Sequence, residues 1–170
     1  MSEVAEVRRV GRPGDLGWMV LANAEVYAEQ FGWNATYEAL VCRIVADFTE
    51  ADPARSAGWI AELAGQRVGA GLCVPDTEPD TGPDTGPGTA RLRILLVTPE
   101  ARGRNIGSRL VEECMDFARA AGYSRMTLWT NDVLTSARRI YVAAGFTLID
   151  EEPHHSFGVD LVGQHWSRDL

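Results

Sequence analysis

The stretch Leu95-Leu96-Val97-Thr98-Pro99-Glu100-Ala101-Arg102-Gly103-Arg104-Asn105-Ile106-Gly107 decides what kind of chain this is. Its apolar start reads as the end of a strand, Thr98-Pro99 as the stop, and Ile106 as the beginning of a helix. Such a junction points several backbone N–H groups at one spot, and the helix dipole adds partial positive charge there. Gly103 and Gly107 let the backbone approach a bulky anion closely. Arg102 and Arg104 bring charge and donors. The chemistry is that of a phosphate or pyrophosphate cradle, whatever molecule carries the phosphate. A P-loop is excluded because G-x-x-x-x-G-K-[ST] is missing, and no G-x-G-x-x-G follows the first strand, which argues against a Rossmann site.

Outward from this junction the elements alternate. Glu3–Val10 predicts a first strand, and Asp15 a helix cap after the turn Arg12-Pro13-Gly14. Helices are expected over Leu16–Gln30 and Ala35–Phe48, then a hairpin of Gly58–Ala64 and Val68–Val74 turning at Gly65-Gln66. The tract Asp76–Thr89 repeats Asp-Thr-x-Pro three times and is expected to be a mobile low-complexity loop. Strands follow at Arg91–Val97 and Ser124–Thr130, with helices over Ile106–Ala121 and Val133–Ala144. In Ile106–Ala121 the apolar residues Ile106, Leu110, Cys114, Phe117 and Ala121 share one face. Phe146–Ile149 and Phe157–Trp166 are the last predicted strands. A mixed α/β sheet with helices packed on it follows from this order.

Composition bounds the function. At 170 residues, 45% hydrophobic and 24% charged, the chain reads as one globular domain over residues 1–170. No apolar run is long enough to cross a bilayer, and Met1–Gly11 lacks a signal-peptide core, so the cytoplasm is the expected location and no membrane partner is expected. A net charge of −8 without a basic run argues against a nucleic-acid partner. Cys42, Cys73 and Cys114 are scattered in apolar contexts and read as buried thiols. No Cys/His spacing suggests a metal, and none is expected.

The junction resembles the central signature of the GNAT acyltransferase superfamily, through Leu95-x-Val97-x-Pro99-x-x-Arg102-Gly103-x-x-Ile106-Gly107. Downstream, Asn131 and Ala137-x-x-x-Tyr141-x-x-x-Gly145-Phe146 resemble its second signature. A closer likeness, carried by Thr127–Asn131, Glu152–Gly158 and Asp160–Gln164, is to the acetyltransferase half of bacterial proteins that fuse a MarR-type domain to a GNAT domain. One position departs from the family pattern: Asn105 stands where the motif has its middle glycine, and Asn is the next-best residue for left-handed backbone.

The resemblance implies an α+β fold. Its central sheet would be mixed and mostly antiparallel, with helices on both faces and a splay beside the fourth strand. It implies acetyl-CoA as co-substrate. Leu95, Leu96 and Val97 would pair with the pantetheine arm through their backbone. Arg102, Gly103, Arg104, Asn105, Ile106, Gly107 and Ser108 would cradle the pyrophosphate. Asn131 would hydrogen-bond the pantetheine arm. Tyr141 would lie near the sulfur and protonate the departing thiolate. The acceptor would be a primary amine of a small molecule or peptide, attacking directly in a ternary complex.

For the base, Glu25, Glu29, Glu38, His154 and His155 are candidates; Glu29, beside Tyr27, Phe31 and Trp33, and His155 are preferred. Proton loss through water needs none of them. The competing function is a non-catalytic module that binds CoA or an amine, and Asn105 is the feature that favours it. A homodimer through the C-terminal strand pair is also open to the chain.

Overall fold

The structure, a computed structural model, describes residues 3–77 and 88–170. Its strands are β1 (Glu6–Arg9), β2 (Ala57–Leu63), β3 (Gln66–Pro75), β4 (Thr89–Val97), β5 (Arg125–Asn131), β6 (Thr147–Ser156) and β7 (Val159–Asp169). Its helices are α1 (Asp15–Phe31), α2 (Ala35–Glu50), α3 (Ile106–Ala120) and α4 (Thr135–Ala143), with a short 3-10 turn at Pro99–Ala101. The strands form one sheet in the order β1-β2-β3-β4-β5-β7-β6. Neighbours are antiparallel except β4 and β5, which are parallel. This is the expected mixed, mostly antiparallel sheet.

The helices cover both faces. Leu110, Val111, Cys114 and Ala118 of α3 share one stripe, and they bury against Leu92, Met126 and Leu128. On the opposite face Met19 of α1 and Val41 and Val45 of α2 pack on Ile60, Ala70 and Leu72. A third cluster joins Ala22, Val26 and Tyr27 of α1 to Trp33, Leu96 and Leu161. The β2–β3 hairpin turns through Ala64 and Gly65, at φ 53° and 73°, the left-handed pair that a tight hairpin needs.

The expected splay is present. β4 pairs with β5 only from Thr89↔Arg125 to Leu92↔Leu128. Beyond that point β4 stays with β3 as far as Val97↔Gly69, while β5 stays with β7 as far as Asn131↔Gly163. Each strand keeps one neighbour and loses the other. Between Leu72↔Arg93 and Ala70↔Leu96, β4 carries one residue more than β3, a bulge at Ile94 with φ 48°.

Several boundaries differ from the expectation. β6 is the largest correction: it runs on through Glu151–Ser156, which were expected to lie outside the last two strands. It is the edge of the sheet, exposed along most of its length, so its side chains lack the alternation that marks a half-buried strand. Asp15 is the first residue of α1 rather than a cap, and its carboxylate instead holds the preceding loop. Of the tract 76–89, residues 78–87 lie outside the described residues. Its ends belong to the sheet: Asp76 is buried, donates its N–H to the Thr89 carbonyl at 3.0 Å, and accepts from the Thr127 hydroxyl at 2.6 Å. Cys73 and Cys114 are buried as expected, and burial pushes the Cys73 thiol up to about 12; Cys42 is exposed on α2. No helix among the described residues is long and apolar enough to cross a membrane.

Candidate active site

The junction after β4 folds as its residues dictate. Pro99 starts the 3-10 turn, Gly103 sits at φ 77°, and Asn105 caps α3 at φ 61°, ψ 17°. Asn105 therefore occupies the left-handed conformation that a glycine would take, and the motif's backbone path is kept. The backbone N–H groups of Gly103 through Ser108 have no acceptor among the described residues; the first helical bond of α3 is Arg109 N–H to the Asn105 carbonyl, at 3.2 Å. Unpaired N–H groups at a helix N-terminus are a built anion cradle. A side-chain carbon added at Gly103 would meet nothing, and one at Gly107 would lie 2.5 Å from the Ile140 Cδ1 atom. Open space is thus kept at Gly103, while the missing side chain of Gly107 makes room for Ile140.

This cradle opens onto a cavity of about 460 Å³ at the mouth of the splay. Leu95 and Val97 of β4 form one wall, and Arg102, Gly103, Asn105, Ile106, Gly107 and Ser108 form the end beside α3. Val133, Leu134, Ala137 and Ile140 close it from α4 and the segment before it, and Tyr27, Gln30 and Phe31 from α1. Leu96 points away from it, into the cluster with Tyr27 and Trp33. Arg104 lines an adjacent concavity with Arg102, Gly103 and Arg109. Arg102 spans the cavity edge. Its Nε donates to the Val97 carbonyl at 3.4 Å, and the Gln30 amide, turned to present its oxygen, accepts from both Nη atoms at 3.0 and 3.3 Å.

Tyr141 lies on α4, 5% exposed, with its ring edge-on to Phe146 at 6.0 Å. It is packed behind the cavity wall rather than among the residues that line it. No hydrogen bond reaches its hydroxyl among the described residues. Burial holds its hydroxyl far above the usual phenol range, and the neighbouring Tyr27 adds to the effect. Burial also pushes Tyr27 up to about 12, partly opposed by the Arg102 charge. Both phenols are protonated at neutral pH. Asn131, 6% exposed, ends β5 where β4 has already left it, and it is not among the residues that line the cavity.

The preferred bases are not brought to the cavity. Glu29 is exposed and lies on the outer face of α1, since the buried residues Asn23, Val26 and Tyr27 set the inner face. The same phase carries Gln30 and Phe31 to the cavity, a signal present in the sequence. His155 projects from β6 with its side chain 68% exposed, bound to Asp160 at 2.8 Å. His154, on the other face of the strand, reaches Asn131 instead. Glu25 and Glu38 are exposed. Among the described residues that line the cavity there is no carboxylate or imidazole. No group of three metal-ligating side chains occurs among the described residues.

Solved structures share this architecture. A ribosomal-protein-alanine N-acetyltransferase from Brucella melitensis superposes with a TM-score of 0.76 over 97% of this chain and 99% of its own, at 19% identity. The yncA protein of Salmonella typhimurium, solved with acetyl-CoA, superposes with a TM-score of 0.74 over 98% of this chain and 94% of its own, at 17% identity. By sequence, an IAA acetyltransferase of Azospirillum brasilense is 35% identical over 101 residues, which is 59% of this chain and 60% of that protein. The chain thus spans less than two thirds of the curated relatives it matches. The model of the acetyltransferase (GNAT) family matches residues 18–146. With its splayed sheet and anion cradle, this chain belongs to the GNAT acetyltransferase family.

Proposed function

We propose that this chain is an N-acetyltransferase that moves an acetyl group from acetyl-CoA to a primary amine of a small molecule or peptide, as one domain over residues 1–170. The observation that carries the proposal is the row of unpaired N–H groups at Gly103–Ser108, opening onto a cavity beside the splay. A pyrophosphate fits that row in charge and in donor chemistry. The β4 edge that has lost β5 offers free backbone groups to an amide-bearing arm. Acetyl-CoA supplies the activated thioester.

The residues then divide the work. Gly103–Ser108 and Arg102 hold the phosphates. Leu95 and Val97 give the arm an apolar wall, and Asn131 offers its amide. As the amine nitrogen bonds to the acetyl carbon and the carbon–sulfur bond breaks, the leaving sulfur takes a proton, and Tyr141 is its donor if the bound arm carries the sulfur past the wall that Ala137 and Ile140 of α4 form. The phenol is protonated at neutral pH and so has a proton to give. The acceptor amine loses its own proton to water, in keeping with a cavity lined by no carboxylate or imidazole. Glu29 and His155 have no part in this scheme. The binding-module reading loses its main support because Asn105 keeps the left-handed geometry. The likeness to MarR–GNAT fusions rests on β5 and the β6–β7 hairpin, and we place the chain near them on sequence alone, with the cytoplasm as its site of action.

Thiol release from acetyl-CoA with a panel of amines tests the activity. Tyr141→Phe is expected to lower kcat by about 100-fold, the usual contribution of a positioned acid, with acetyl-CoA affinity kept. Turnover equal to the parent would remove Tyr141 from this role. CoA binding without turnover across the panel would favour the module.

A further inference from the structure

A hydrogen-bonded chain runs from the surface of β6 to Asn131 at the end of β5, the strand that flanks the splay. The Ser156 hydroxyl lies 2.8 Å from His154 Nδ1, and His154 Nε2 lies 2.8 Å from Asn131 Oδ1. Donor and acceptor roles follow from chemistry. The Asn131 oxygen can only accept, so the hydrogen sits on Nε2, and Nδ1 accepts from the Ser156 hydroxyl. Protonation of His154 would leave the Nε2–H in place, so the hold on Asn131 does not depend on the charge of the ring. Trp129 packs beside the imidazole, with ring centroids 5.9 Å apart, and limits its rotation.

The consequence falls on Asn131. Its oxygen is committed to His154, while its amide nitrogen has no acceptor among the described residues, although the residue is 6% exposed. It stands past Leu128, the last β5 residue paired with β4. An amide free to rotate would present oxygen or nitrogen to the cleft with similar ease. One with its oxygen held presents N–H donors alone.

We propose that His154 is a positioning residue: with Ser156 it fixes the Asn131 amide so that N–H groups face the cleft, selecting a carbonyl of the acyl donor's pantetheine arm. The inference rests on the reading of Asn131 as a pantetheine contact. It assigns His154 no proton transfer.

The experiment is a cycle of Asn131→Ala, His154→Ala and the double variant, with acetyl-CoA Kd by calorimetry, KM and kcat, and thermal unfolding of each. His154→Gln is added because its side-chain N–H can replace Nε2–H. Asn131→Ala and His154→Ala are each expected to weaken acetyl-CoA binding by about tenfold, the usual effect of losing or misdirecting one buried hydrogen bond. The double variant is expected to bind no worse than Asn131→Ala, and His154→Gln to recover to within about twofold. Parent-like binding by His154→Ala, with Asn131→Ala weakened, would overturn the inference and leave the Asn131 reading standing. Parent-like binding by Asn131→Ala would remove that reading and the inference with it. A His154→Gln variant that binds normally but loses most of its kcat would make His154 a base and also overturn it. Should His154→Ala unfold, Ser156→Ala is the remaining arm: a weakening of about threefold supports the chain, and unchanged binding counts against it.

Discussion

At the start of α1 the Asp15 carboxylate accepts from Arg8 at 2.8 and 2.9 Å, from Arg67 at 2.9 Å, and from the N–H groups of Gly11 and Arg12 at 3.0 and 2.9 Å. At the start of α3 the N–H groups from Gly103 to Ser108 have no acceptor among the described residues. Both ends carry the same partial positive charge. One carries a carboxylate 1% exposed that two arginines and two loop N–H groups hold in place, and the other has no carboxylate and opens beside a cavity. The difference separates a helix start whose surroundings are tied to the fold by ion pairs from one whose N–H groups the fold leaves open. Glu62 extends the closed end, taking Arg8 and Arg12 onto its own carboxylate.

Breaking the closed end should have the larger effect. Asp15→Asn is expected to cost about 3 kcal/mol of stability, because Arg8 and Arg67 lose a buried anion. Chemical denaturation reads this directly, and acetyl-CoA affinity below the melting temperature should not change. Acid unfolding adds a sign. Arg8 holds the Asp15 carboxyl far below the usual carboxylate range. Its stabilisation is therefore complete above about pH 4 and lost as the pH falls below it. The Asn variant should lose that dependence, and parallel acid curves for the two proteins would show Asp15 to be no hub.

Filling the open end comes next. Gly107→Val sets a branched side chain against Ile140 and across the cradle, and is expected to weaken acetyl-CoA binding by about 100-fold through lost charged hydrogen bonds. Undiminished affinity would sink the cradle assignment. Stability should fall little, since the clash is with the flexible end of one side chain.

The smallest effect sharpens the comparison. Asn105→Gly should change affinity by no more than about twofold, because Asn105 already holds the left-handed geometry. A large gain would mean that the asparagine side chain obstructs the cradle.

The strand–turn–helix path after β4 was legible in the sequence because its signals are local: glycines, a proline stop and a helix start within a dozen or so residues. The order of α3, β5 and α4 was legible for the same reason, through periodicity. β6 was not, since an edge strand exposed on most of its residues and interrupted by Pro153 carries little pattern. Glu29 lies near Tyr27 and Phe31 in sequence, yet residues two positions apart on a helix point to nearly opposite sides. His154 and His155 are neighbours in the chain, and the strand alternation sends one to Asn131 and the other to Asp160. Contacts made by distant segments, such as Gln30 with Arg102, leave no local trace.

The extra residue at Ile94 has an effect beyond bending its strand. Before it, Ala90 and Leu92 face α3; after it, Leu95 and Val97 do, so the even-odd count of β4 changes phase. The bulge acts as a frameshift in side-chain direction. Because of it, two consecutive segments of one strand answer to different partners: the first builds the core under α3, and the second turns Leu95 and Val97 into the cavity while Leu96 joins the aromatic cluster of α1.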